Sequence, residues 1–174
     1  MPNPHMQRHD TAGPIIAEIM GLLSQVARKL EPENAETREW MARHCQNPVI
    51  IELLRDLTLM SLRVLDAIGR MEPVNGITIS KQFHIPKGSV SKITRRLIGH
   101  KLIEKEYLPA NKKEVLFRLT PLGRELFDVH RAFDQQMERG LTQFLQRYSQ
   151  EELQFIVRIL QDLTETSFLK AGQK

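Results

Sequence analysis

The sequence predicts a mainly α-helical protein that carries one small β-hairpin. Apolar residues recur every three or four positions through most of the chain, the spacing of amphipathic helices. Between Leu102 and Thr120 that spacing gives way to two short alternating runs joined by a polar turn. Proline and small polar residues stand where helices would begin. The 174 residues are 41% hydrophobic and 26% charged, an ordinary globular composition. Such a length fits one domain, or one small domain with helical extensions. A chain of this size buries roughly 70% of its unfolded surface and needs neither metal nor disulfide to hold a core. The single cysteine, Cys45, excludes an internal disulfide. No apolar run approaches the roughly 18 residues that span a bilayer. The N-terminus lacks the basic-then-apolar pattern of a signal peptide. A reduced, cytoplasmic, soluble protein with no membrane partner is expected.

The elements follow in order. Residues 1–12 are polar and contain proline, as chain ends often do. From Pro14, suited to a first helical turn, Ile15, Ile19, Leu22, Val26 and Leu30 form a stripe that Glu31-Pro32 stops. Residues 34–45 read as a polar helix. Asn47-Pro48 caps and starts a helix to Leu57. Thr58 caps the next, Leu59 to Arg70. Pro73 to Gly76 is a turn, and Ile77 is extended. Thr78 or Ser80 caps a brief helix through His84. Pro86 opens a longer helix through His100. Strands follow at Leu102–Leu108 and Glu114–Thr120, with Pro109–Lys113 as the turn. Thr120-Pro121 caps a long helix striped by Leu122, Leu126, Val129, Phe133, Met137, Leu141, Phe144 and Tyr148. It spans about 26 residues, roughly 39 Å. Ser149 and Glu152 form a capping box for a last helix.

Charge is concentrated. The whole chain carries a formal +4, yet residues 81–120 hold ten Lys and Arg against three Glu. A block of this kind attracts polyanions, and phosphate neutralisation releases counterions. The same block contains a short helix, a longer helix, a strand, a basic turn and a strand. That order is a helix-turn-helix with a β-wing. At 100° per residue, Val90, Ile93 and Leu97 share one side of the longer helix. Gly88, Ser91, Lys92, Arg95 and Arg96 share the other. Small residues admit the backbone to a major groove, and Lys and Arg reach base edges or phosphates.

Residues 57 to about 126 resemble the MarR (multiple-antibiotic-resistance regulator) family of bacterial winged-helix transcription factors. The likeness rests on Leu57-Thr58-Leu59, Arg63-Val64-Leu65, Ser89-Val90-Ser91-Lys92-Ile93-Thr94-Arg95-Arg96-Leu97 and Leu102-Ile103-Glu104-Lys105. Most specific is Val115-Leu116-Phe117-Arg118-Leu119-Thr120-Pro121-Leu122-Gly123. The resemblance implies a homodimer with interlocked N- and C-terminal helices, a palindromic operator, and a repressor relieved by a small-molecule effector. A small aromatic ligand between the dimer helices and the winged domain is part of that expectation. The apolar stripes of the terminal helices exceed what one small winged domain can cover, which points to a partner chain on separate grounds. At the wing tip, Asn111-Lys112-Lys113 replaces the family's usual Asp-x-Arg. The charge stays at Lys113, but the planar guanidinium does not.

The chain therefore divides into an N-terminal dimerisation segment (1–56), a winged helix-turn-helix (57–120) and C-terminal dimerisation helices (121–174). On double-stranded DNA, Ser91, Lys92 and Arg95 are expected at or near bases. Lys87, Gly88, Ser89 and Thr94 lie on or beside the presented helix. Thr78, Ser80 and Lys81 should meet phosphate near the short helix, and Lys112 and Lys113 from the wing. The rival reading is a winged-helix protein-interaction module whose basic face docks an acidic partner. Cys45 reads as an ordinary free thiol, with a peroxide-sensing role as the alternative. The histidines show no zinc-ligand spacing, and no cofactor or metal is expected. Trp40 reads as a packing residue rather than a pocket wall. Nucleotide-binding and nucleophile motifs are absent, so nothing in the sequence supports an enzyme.

Overall fold

In the computed structural model, residues 12–30, 35–108 and 111–168 are described. The helices are α1 (Ala12–Leu30), α2 (Ala35–Arg43), α3 (Pro48–Asp56), α4 (Leu59–Met71), α5 (Gly76–Gln82), α6 (Lys87–Gly99), α7 (Pro121–Leu145) and α8 (Gln150–Glu165). The strands are β1 (Val74–Asn75), β2 (Ile103–Leu108) and β3 (Asn111–Leu119), in the antiparallel order β1-β3-β2. The chain forms two compact units, Met1–His130 and Arg131–Lys174. No described helix is long and apolar enough to cross a membrane.

Local chemistry sets most of the boundaries. Asn47 Oδ1 accepts from the Val49 amide at 3.0 Å, and Thr58 Oγ1 accepts from Ser61 at 3.2 Å. Each cap satisfies one of the orphan donors of a first helical turn. Several expectations are corrected. Ile77 is not extended: α5 begins at Gly76, and its cap is Asn75, whose Oδ1 accepts from Thr78 at 2.8 Å. The preceding pair, Val74–Asn75, is a third strand that pairs with Phe117 and Leu116 of β3. Two residues are too short to carry a periodic signal. Residues 111–113 also extend β3 rather than forming the turn, since Leu108 pairs with Asn111.

The core of the first unit gathers around α4. Val64, Ala67, Ile68, Ile79, Leu97, Leu102 and Leu126 are each 0% exposed. Each buried aliphatic side chain contributes about 1.5–3 kcal/mol. Two glycines allow the closest approaches. A Cβ on Gly69 would meet the Phe127 ring at 2.5 Å, and one on Gly123 would meet the Leu102 carbonyl oxygen at 1.8 Å. The Thr-Pro-Leu-Gly signal thus has a physical basis. Thr120 Oγ1 accepts from Gly123 N–H at 3.0 Å and donates to the Lys101 carbonyl at 2.6 Å. The start of α7 is seated directly on the entry to β2.

Elsewhere apolar side chains lie bare. On α1, Ile15, Ile16, Ile19, Met20, Leu22, Leu23 and Val26 are exposed. In the second unit so are Met137, Leu141, Phe144, Phe155, Ile159 and Leu160. Cys45 is buried and its thiol donates to the Asn47 carbonyl at 3.7 Å, so it packs as a small core residue. Trp40 stacks on His44 with ring centroids 3.8 Å apart.

Candidate nucleic-acid interface

The interface is built on α5, α6 and the wing. The turn between α5 and α6 places His84 at φ 53°, in the left-handed region, and Ile85 N–H reaches back to the Ser80 carbonyl at 3.2 Å. The exit of α6 repeats the device. Lys101 takes φ 58°, Lys101 N–H bonds Ile98 O at 2.9 Å, and Leu102 N–H bonds Leu97 O at 3.0 Å. This is a Schellman motif whose flanking pair, Leu97 and Leu102, is fully buried. Both ends of α6 are therefore sharply defined, which fixes where its side chains stand.

One side of α6 is anchored and the other presented. Val90 and Leu97 are buried, as expected, and so is Thr94, only 4% exposed. Thr94 Oγ1 donates to the Ser91 carbonyl at 3.3 Å. Its placement among the DNA-facing residues is corrected: four residues beyond Val90 it lies only 40° from Val90 on the wheel, as close to the Val90–Leu97 axis as Ile93 is. Lys87, Gly88, Ser91, Lys92 and Arg95 are exposed, and Ser89 is half-buried. Gly88 has nothing within 4 Å of a would-be Cβ, so the backbone is open there. On α5, Lys81 is exposed, while Thr78 and Ser80 are half-buried. Lys112 and Lys113 sit on β3, and their side chains lie outside the described residues.

The electrostatics favour an anion. Among the described residues, Lys92 and Arg95 have no carboxylate partner within ion-pair distance. Other arginines are committed: Arg118 pairs with Glu106 across the wing, and Arg124 with Glu72. Pro86 precedes α6 without a side-chain cap, which leaves first-turn amides open to a phosphate. A cleft of about 580 Å³ separates α6 from the base of the wing, with Lys87 and Ser91 on one wall and Glu114 on the other.

Sequence reasoning missed the groups that hold the wing in place. Asn75 caps α5 through Oδ1 and donates through Nδ2 to Glu114 of β3. Glu72 accepts from the Leu119 amide at 2.6 Å and pairs with Arg124 of α7. The Asn-Gly pair ahead of Thr78 was the available signal for Asn75. Glu72 had none, because its partners lie 47 and 52 residues away.

Known proteins show the same arrangement. The family model described as "MarR family" matches residues 55–113. The HTH-type transcriptional regulator PchR of Bacillus subtilis is 38% identical over 117 residues, covering 67% of this chain and 68% of that protein. The HTH-type transcriptional regulator YhjH of the same organism is 37% identical over 107 residues, 62% of this chain and 61% of that one. Among solved structures, Streptococcus pneumoniae FabT in complex with DNA has a TM-score of 0.65 at 20% identity and covers 91% of this chain and 99% of FabT. Staphylococcus aureus MarR in complex with salicylate and kanamycin has a TM-score of 0.57 at 20% identity, over 88% of this chain and 92% of that one.

Proposed function

The chain belongs to the MarR family and is a DNA-binding transcriptional regulator; we propose that it works as a cytoplasmic homodimer on a palindromic operator, as a repressor released by a small-molecule effector. The observation that carries the reading is α6: buried on Val90, Thr94 and Leu97, it presents Ser91, Lys92 and Arg95 with both cations unpaired among the described residues. In this reading Arg95 makes a base contact, with Ser91 and Lys92 at or near base edges. Lys87, Gly88 and Ser89 bring the open first turn of α6 to the backbone. Thr78, Ser80, Lys81, Lys112 and Lys113 meet phosphates and set register without reading sequence.

Residues 1–56 and 121–174 supply the dimer seam. The apolar residues bare on α1 and in the second unit are too many for an isolated soluble chain, and a second copy covers them with matching chemistry. Two winged domains related by a two-fold axis read an inverted repeat whose half-sites lie about one helical turn apart. The effector in this reading is a small aromatic ligand. The salicylate carried by Staphylococcus aureus MarR supports that class.

The test is selection from a pool of genomic fragments at about 0.15 M salt, where weak nonspecific contacts are screened. A short inverted repeat is expected. Arg95→Ala should then cost about 1–3 kcal/mol on the recovered site and relax specificity. No enrichment, or an affinity indifferent to Arg95, contradicts the reading.

A further inference from the structure

Arg96 follows Arg95 on the cationic side of α6, and the helical wheel places it with the DNA-facing residues. Its guanidinium turns elsewhere. Nη2 donates at 2.6 Å to the carbonyl of Asp56, the last residue of α3. One residue on, the Leu57 carbonyl accepts at 3.4 Å from Nη2 of Arg38 on α2. The C-terminal end of a helix carries unpaired carbonyls and the negative end of the dipole, so guanidiniums gain there. Two of them, from elements 58 positions apart in sequence, meet at one corner. The corner is itself fixed: Leu57 is 1% exposed, its amide bonds Leu53 O at 2.9 Å, and Thr58 at once caps α4.

Its end turns fix where α6 starts and stops, and along its length Val90, Thr94 and Leu97 anchor it against the core. Apolar contact is non-directional and tolerates small rotation of a helix about its axis. A charge-assisted hydrogen bond at one point of the circumference does not. Base recognition by paired donors is sensitive to just such a rotation, and Arg95 is the adjacent residue.

We propose that Arg96 is a positioning residue: it touches no DNA, and by holding the Asp56 carbonyl it sets the rotation of α6 and so the sequence specificity of the neighbouring side chains. The proposal rests on α6 being the base-reading helix.

The experiment compares wild type with Arg96→Met and Arg96→Lys on the selected operator and on a scrambled duplex of equal length, across salt. Arg96→Met should bind the operator about ten-fold more weakly and the scrambled duplex within about two-fold of wild type, with an unchanged slope of log affinity against log salt. Arg96→Lys, which keeps the charge and can still reach a carbonyl, should lose about three-fold, and it carries the test if the methionine variant folds poorly. A slope reduced by about one, with both duplexes weakened alike, means a direct phosphate contact and overturns the proposal. Unchanged operator affinity overturns it too. Hydrogen exchange on the DNA-free protein gives a separate arm. Amides of residues 90–99 should exchange faster in Arg96→Met and not in Arg95→Met; equal protection in all three proteins overturns the clamp. That arm stands even if no operator is recovered, a result that would count against the DNA-reading role of α6 instead.

Discussion

The winged domain and the terminal helices use the same side chains and end in opposite states. Around α4, Val64, Ile68, Ile79 and Leu97 are fully buried. On α1 and α8, Ile15 is 59% exposed and Leu160 53%. The difference lies in what each region has to pack against. In the winged domain, α4, α5, α6, β1 and β3 enclose one another within a single chain. Among the described residues, α1, α8 and the far half of α7 carry apolar stripes that stay exposed. One region closes its core within the chain, and the other leaves its apolar side chains exposed.

Charging the incomplete region should have the largest effect. In the proposed dimer Leu160→Glu would place two carboxylates in the seam, and the dimer is expected to weaken by about 4–6 kcal/mol. Sedimentation should then show a monomer whose helical circular dichroism persists. A variant that remains dimeric at micromolar concentration places the seam elsewhere.

A second contrast lies within the complete region. Gly123→Ala drives a methyl against the Leu102 carbonyl, at 1.8 Å before relaxation, and should destabilise by about 3 kcal/mol or more in denaturant titration. Gly99 has open space around it, so Gly99→Ala should stabilise by about 0.5–1 kcal/mol. If the two substitutions cost the same, the close seating of α7 on β2 is wrong.

Thr94 sharpens the boundary between anchored and presented faces. Thr94→Val keeps the volume and loses only the bond to the Ser91 carbonyl, a cost of about 1 kcal/mol in stability. Operator affinity should stay within about two-fold of wild type. A ten-fold loss would return Thr94 to the DNA face.

The smallest effect concerns α8. Glu152 accepts from the backbone and side chain of Ser149, which holds its carboxyl below the usual glutamate range. The sign follows from linkage: the folded value is depressed, so the cap stabilises above the unfolded value and is lost as pH falls through the folded one. Helicity of α8 should decline on acidification in wild type, and Ser149→Ala should remove that part of the pH dependence.

Much of the fold is legible in the sequence. Caps at Asn47, Thr58 and Ser149 are local, and local signals read well. The hairpin, the two α6 flanks and the Thr120-Pro121 start of α7 also announced themselves through spacing. What escaped was set by distant partners. The β1 strand exists because β3 pairs with it. Glu72 matters because Leu119 and Arg124 come to it through the fold. Arg96 occupies a DNA-facing sector by angle, yet a long side chain can bend toward a helix end that the wheel does not include. Thr94 is polar, yet by angle it stands beside Val90 on the buried side. On the polar α2, Trp40 stacks on His44.

In the proposed assembly two copies join through their bare helices to read one operator. Native mass spectrometry of the chain with its selected duplex tests it most directly. Two 20.2 kDa chains are expected on each duplex, and a free protein of about 40 kDa. One chain per duplex, with a free monomer at the same concentration, would contradict it.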